Sequence, residues 1–87
     1  MASVDAEPLR SQSEIREENR RIRLLRRLVD FALATIAQSN VSHGEALRIV
    51  DGVKQRACEL FPGKEATFDL IYGPRFRRLI AEKYGLH

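Results

Sequence analysis

Residues 13–39 read SEIREENRRIRLLRRLVDFALATIAQS, and this stretch decides the fold. Apolar side chains recur along it every seven residues, which is two turns of an α-helix, with others at intermediate positions. The pattern predicts one helix of about 25 residues that begins at Glu14, with Ser13 as its N-terminal cap. Its apolar face, which we call the seam, consists of Ile15, Ile22, Leu25, Val29, Ala32 and Ile36.

Downstream of this helix the sequence predicts two more helices and no strand. Ser42 and Glu45 have the Ser-x-x-Glu spacing of a capping box, which starts a second helix. A third helical pattern covers 66–84, and Gly73-Pro74 inside it predicts a kink or a split, because proline removes a backbone hydrogen bond. Short connections favour neighbours that run in opposite directions. We therefore expect an all-α fold: a small antiparallel bundle with a long N-terminal helix, a second helix and a kinked or split third helix.

The length of the chain, 87 residues, is enough for one small domain. Residues 1–12 are mostly small or polar and lack an apolar period, so we expect a flexible leader there and a single all-α domain over 13–87. A domain of this size buries only about 60–65% of the surface that its unfolded chain exposes. Its stability margin is thin, which favours association between subunits.

The cysteine content and the hydropathy indicate a compartment. Cys58 has no second cysteine to pair with, so an intramolecular disulfide is impossible and a reducing interior suits the chain better than secretion. The most apolar stretch, 28–37, is shorter than the roughly 20 residues that a bilayer requires. The N-terminal residues lack the apolar segment of a signal peptide. We therefore expect a cytoplasmic protein that does not contact a membrane.

Residues that carry catalysis are sparse in this chain. Cys58 falls near the apolar side of the second helix and is expected to be a small core residue. His43 and His87 do not have the spacing of metal ligands, and Gly63-Lys64 lacks the other residues of a phosphate-binding loop. We therefore expect no catalytic residue, no metal or cofactor site and no small-molecule substrate, and the chain is predicted not to be an enzyme.

Charge is unevenly distributed along the chain. Residues 1–19 carry five acids and two bases, whereas residues 20–27 carry five arginines and no acid. The arginines of the two most basic regions have two interpretations. They contact phosphates or an acidic partner protein, or they form an ordinary solvated surface in which they pair with nearby acids. On the first helix they form an arginine stripe roughly opposite the seam: Arg16, Arg20, Arg23 and Arg27. Near the C-terminus they are interleaved with apolar residues: Arg75, Arg77 and Arg78.

The length of the first helix favours association with a second chain, because part of its apolar seam extends beyond the second helix. Residues 14–39 span about 40 Å, whereas the second helix covers about 28 Å, so Ile15 and Ile22 extend beyond its cover. We therefore expect a non-enzymatic binding or assembly module that forms a homodimer by coiled-coil packing, with the arginine stripe setting the orientation or contacting an acidic partner. The seam residues assigned to self-association are Ile15, Ile22, Leu25, Val29 and Ile36.

Residues 36–50 support an alternative function. Their sequence, IAQSNVSHGEALRIV, resembles the helix-turn-helix segment of bacterial repressors, with Val41-Ser42 opening the recognition helix. The resemblance implies a DNA-binding regulator in which Ser42, His43 and Arg48 face DNA. The turn is one residue shorter than in that family and lacks the usual glycine, which leaves an ordinary helical hairpin as the competing interpretation.

Overall fold

The computed structural model describes residues 2–85, with side chains described from residue 11 onward. This part of the chain is all-α, as predicted, and contains no strand. It comprises four helices: α1 (Ala2–Gln38), α2 (His43–Leu60), α3 (Glu65–Ile71) and α4 (Gly73–Tyr84).

The first helix begins at Ala2, so the predicted start at Glu14 is wrong. Apolar periodicity marks a helix that packs against a neighbour, and it does not register a segment that is helical through intrinsic propensity. The residues ahead of Ser13 include alanines, a glutamate and a leucine, which favour a helix, and also Pro8, which disfavours one, so propensity accounts for only part of this extension. Ser13 is therefore an interior residue of α1 rather than its cap. The flexibility expected for residues 1–12 stays a prediction.

The core of the bundle is built on the C-terminal half of α1. Four seam residues there, Leu25, Val29, Ala32 and Ile36, are buried in a single apolar cluster. α1 packs on α2 and α4, and α2 packs on α3 and α4, so each helix contributes to this cluster. The other buried members are Ala46, Val53 and Ala57 of α2, Phe68 of α3, and Phe76 and Ile80 of α4.

The second helix starts at the predicted capping box, which is confirmed. The Glu45 amide donates to the Ser42 hydroxyl at 3.1 Å, and the Ser42 amide donates to the Glu45 carboxylate at 2.8 Å. The hydrogen bond from the Ser42 amide is the main reason that the pKa of the Glu45 carboxyl is lowered, because it favours the charged form. Two backbone amides that have no partner inside the helix are thereby satisfied.

The third helical segment is split at Tyr72, beside the Gly73-Pro74 pair that predicted the break. Tyr72, at φ −105° and ψ −24°, ends α3 and precedes α4. Pro74 lies in the first turn of α4, where a missing backbone N–H costs no hydrogen bond within the helix. Gly85 ends α4 at φ 70°, a left-handed conformation that glycine adopts without strain.

The first helix is longer than the bundle to which it belongs. Its 37 residues span about 55 Å, whereas the 18 residues of α2 span about 27 Å. The chain measures 59 × 20 × 17 Å, so α1 sets its long dimension. Among the described side chains of α1, the first that is buried is Leu25. Residues 11–24 of α1 therefore project from the core, and we call them the arm.

Candidate self-association surface

The structure divides the seam between the core and the arm. Leu25, Val29 and Ile36 belong to the chain's own core, with Leu25 9% exposed and the other two fully buried. Ile22 is half-buried and Ile15 is 52% exposed. Of the five seam residues assigned to self-association, Ile15 and Ile22 are thus the two that the folded chain presents to a partner.

An apolar groove lies beside Ile22, between α1, α3 and the end of α2. It encloses about 400 Å³. Ile71 in its wall is 54% exposed, so the groove is open to solvent on the α3 side. Two of its lining residues, Arg26 and Lys64, are exposed cations. The apolar part of the lining includes Ile22, Leu25, Phe61, Phe68, Ile71 and Tyr72.

Arg21 connects the arm to the end of α2. Its guanidinium carbon lies 5.9 Å from the centre of the Phe61 ring, within the range of a cation–π contact. Within the part of the chain that the structure describes, its Nε is buried without a hydrogen-bond partner. Arg21 is half-buried by this contact, which separates it from the exposed arginine stripe.

The arginine stripe lies on the solvent side of α1, and its four members are exposed. Arg20 lies 3.3 Å from Glu17, but both side chains are largely in solvent, so this pair contributes little to stability. Arg16, Arg23 and Arg27 form no ion pair within the described residues. The stripe is therefore a row of cations that solvent or an anionic partner can reach.

The arginines of α4 lie apart from the first turns of the stripe. Arg75 lies 3.7 Å from Asp30 of α1, and Arg78 is exposed. Arg77 packs over Gly73, where an added Cβ would stand 2.9 Å from its Nη1. Asp30 is 14 residues, or about 21 Å, along α1 from the first arginine of the stripe. The last arginine of the stripe, Arg27, is only three residues from Asp30, so the two basic groups approach each other at that end of the stripe and lie apart at the other.

The three residues that the helix-turn-helix interpretation assigns to DNA differ in how far other parts of the chain engage them. Ser42 uses its hydroxyl in the capping box, and its carbonyl accepts a hydrogen bond from the Tyr84 hydroxyl at 3.3 Å. His43 is half-buried, with its ring centre 5.2 Å from that of Tyr84. Arg48 is exposed. Two of the three are thus engaged with α4 rather than turned freely to solvent.

Hydrogen bonds from α4 hold the connection between α1 and α2, and sequence reasoning missed them. The Lys83 ammonium donates to the carbonyl of Ile36 and to that of Ser39, the second at 2.6 Å. The Tyr84 hydroxyl donates to the carbonyl of Val41 at 2.7 Å. A cation at the last carbonyls of α1 also offsets the negative end of its helix dipole. A lysine and a tyrosine in the last turn of the last helix are the sole sequence signal of this contact.

Cys58 is half-buried on α2, and burial raises the pKa of its thiol. A raised pKa leaves less thiolate at neutral pH, which suits packing better than nucleophilic attack. In the described part of the chain, which omits His87, no three histidine, cysteine or acidic side chains are grouped as metal ligands would be. None of the described helices is both long and apolar enough to cross a membrane.

No protein-family model, curated protein or solved structure matches this chain.

Proposed function

We propose that this chain is a non-enzymatic assembly module that forms a homodimer through the arm of α1. The observation that carries the proposal is the exposure of Ile15, 52%, on a helix that has left the bundle. With the half-buried Ile22 it continues the seam beyond Leu25, which is the first buried residue of the seam. An apolar strip on a projecting helix is the surface through which coiled-coil partners associate.

The four isoleucines of two arms are not enough to hold a dimer. Burying an isoleucine completely contributes about 1.5–3 kcal/mol, and these side chains are already partly covered, so together they supply about 4 kcal/mol. Association costs at least about 4 kcal/mol in lost translational and rotational freedom. The remaining stabilisation must come from the residues beside Ile15 and Ile22: the charged residues of the arm and the apolar groove.

The arginine stripe has a separate place in this proposal. It lies roughly opposite the seam, so a dimer formed through Ile15 and Ile22 leaves it exposed. We propose that it sets the orientation of the dimer or contacts an acidic partner protein, since guanidinium groups bind carboxylates in bidentate geometry. The single cysteine, Cys58, favours a reducing compartment, and we propose the cytoplasm.

A DNA-binding regulator is the second candidate, and the exposed Arg48 on α2 is the observation in its favour. It has weaker support because Ser42 and His43 contact Tyr84. A binder that neutralises several phosphates loses affinity for duplex DNA by about 10³-fold or more between about 50 and 200 mM salt. Retention of duplex DNA with that salt dependence, and its loss in Arg48→Ala, would favour this candidate over the assembly module.

The assembly proposal is tested by light scattering coupled to size-exclusion chromatography at high micromolar concentration. We expect twice the chain mass for the wild type and a monomer for Ile15→Glu, because the new carboxylate would be buried in the interface. Leu47→Glu is the matched control, because Leu47 is 49% exposed and lies on α2, away from the arm. It should remain dimeric.

Two results would overturn the assembly proposal. One is a wild-type chain that elutes with the mass of a monomer at high micromolar concentration. The other is a dimer that Leu47→Glu dissociates and Ile15→Glu does not, since the interface would then lie on α2. Circular dichroism of each variant checks that the helices are intact.

A further inference from the structure

We propose that the two copies pair in antiparallel orientation, so that neither Glu18 nor Arg26 of one α1 faces the same residue of the other. The inference rests on the homodimer proposed above and adds its geometry. Residues 1–19 carry five acids and two bases, and residues 20–27 carry five arginines and no acid. Both groups lie on α1, which is one continuous helix from Ala2 to Gln38.

A parallel pair brings like charges together. It sets Glu18 of one copy beside Glu18 of the other and Arg26 beside Arg26, because both residues lie on the side of α1 that carries Ile15 and Ile22. Packed helices lie about 8–10 Å apart, and the Debye length is about 8 Å at physiological ionic strength, so the charges on the facing sides of the two helices dominate the interaction. An antiparallel pair removes this repulsion, because Glu18 and Arg26 of each copy then face other residues of the second copy.

The exposed isoleucines set the register. When Ile15 of each copy packs on Ile22 of the second copy, the two-fold axis falls between Glu18 and Asn19. Glu18 is the one residue that interrupts the seam within the arm. In this register it faces Asn19 of the second copy, whereas in a parallel pair it would face another Glu18. A polar residue at a seam position is an established determinant of orientation in paired helices.

The groove beside Ile22 lies next to the residues that precede Ile15 in the second copy. In this register the residues that precede Ile15 of the second copy run along α1 past Ile22, towards the groove. Two of the groove's lining residues, Arg26 and Lys64, are exposed cations. The approaching segment carries Ile15, whose apolar side chain complements the apolar part of the groove lining.

Cysteine cross-linking distinguishes the orientations in the full chain. The background is Cys58→Ala, and single cysteines are introduced as Ser11→Cys, Asn19→Cys and Arg26→Cys. Asn19→Cys, next to the axis, should form a disulfide-linked dimer under mild oxidation. Two copies of residue 11 lie about 22 Å apart in the antiparallel pair, far beyond the roughly 7 Å between Cα atoms that a disulfide tolerates. Ser11→Cys should therefore not link to itself, whereas it should link to Arg26→Cys when the two variants are mixed.

Three other outcomes would refute the orientation, the register or the homodimer, respectively. Self-linking of Ser11→Cys shows a parallel pair and refutes the orientation while the homodimer stands. Failure of Asn19→Cys to link in a sample that light scattering shows to be dimeric refutes the register. A monomeric sample refutes the homodimer itself. Leu47→Cys serves as the control for disulfides formed by random collision. If Asn19→Cys forms disulfide-linked dimers no faster than Leu47→Cys does, the specific pairing of the two arms is refuted.

Discussion

The phenol of Tyr84 donates a hydrogen bond to the backbone carbonyl of Val41 at 2.7 Å, joining the last turn of α4 to the connection between α1 and α2. Lys83 donates to two further carbonyls at the same place, those of Ile36 and Ser39. A connection of four residues without a secondary structure of its own is thus held by side chains that lie more than 40 residues away in sequence.

We predict that Tyr84→Phe lowers the free energy of unfolding by about 1 kcal/mol, because the partly buried carbonyl of Val41 loses its donor. For a domain of this size the thermal midpoint should fall by about 4–8 °C, measured by circular dichroism. Tyr72→Phe is the matched control, because within the described residues the half-buried Tyr72 donates no side-chain hydrogen bond. An equal loss in both variants would mean that the hydrogen bond to Val41 contributes nothing.

We predict that Ser42→Ala destabilises the chain by about 1 kcal/mol in urea unfolding, because the Glu45 amide loses its acceptor at the start of α2. Ser39→Ala removes a hydroxyl from the same connection, where the described contacts of Ser39 are made by its backbone. That control should unfold at the wild-type urea concentration. Equal effects of the two changes would contradict the role of the capping box.

The ion pair between Lys54 and Asp69 predicts an alkaline loss of stability. The two groups lie 2.9 Å apart between α2 and α3, and the hydrogen bond to Asp69 raises the pKa of Lys54 above its usual 10.5. Because the pKa of Lys54 is higher in the folded chain than in the unfolded chain, the ion pair stabilises the fold fully at pH values below the unfolded-state pKa. That stabilisation is lost as the pH rises through the folded-state pKa. The coupling between Lys54→Gln and Asp69→Asn in a double-mutant cycle should therefore be measurable at pH 7 and smaller at pH 12. A coupling that does not change with pH would refute the ion pair as its source.

Phe76 of α4 is 1% exposed and is among the largest fully buried side chains. We predict that Phe76→Ala costs about 3–5 kcal/mol, because it leaves a cavity between α1 and α4, and that much of the chain unfolds at 37 °C. Phe31→Ala is the control: Phe31 is 72% exposed, and its loss should change stability by less than about 0.5 kcal/mol. Hydrogen exchange or urea unfolding distinguishes the two variants.

Local signals in the sequence predicted the local features of the fold. The capping box at Ser42 and Glu45 and the split beside Gly73-Pro74 each depend on a few neighbouring residues, so spacing alone identifies them. The start of α1 at Ala2 was missed because its first turns carry no apolar period.

Features that depend on tertiary packing were beyond local patterns. The seam looks uniform from Ile15 to Ile36, and its division at Leu25 depends on where the other helices stop covering α1. The hydrogen bond from Tyr84 to Val41 joins residues that are 43 positions apart in the sequence. Neither a tyrosine nor a valine by itself predicts such a contact. The same holds for the candidate surface: its isoleucines were identified, but the groove lined by Phe61 and Ile71 requires three helices to be in place.

The continuity of α1 fixes a distance. Ile15 in the arm and Ile36 in the core lie 21 residues apart on one unbroken helix, which separates them by about 32 Å. A rigid spacer of this kind keeps whatever binds at Ile15 away from the far end of the core, where Lys83 and Tyr84 contact the connection between α1 and α2. Two chains joined at their arms would hold their helical bundles at opposite ends of one rod, with the spacing between the bundles set by the number of residues in α1.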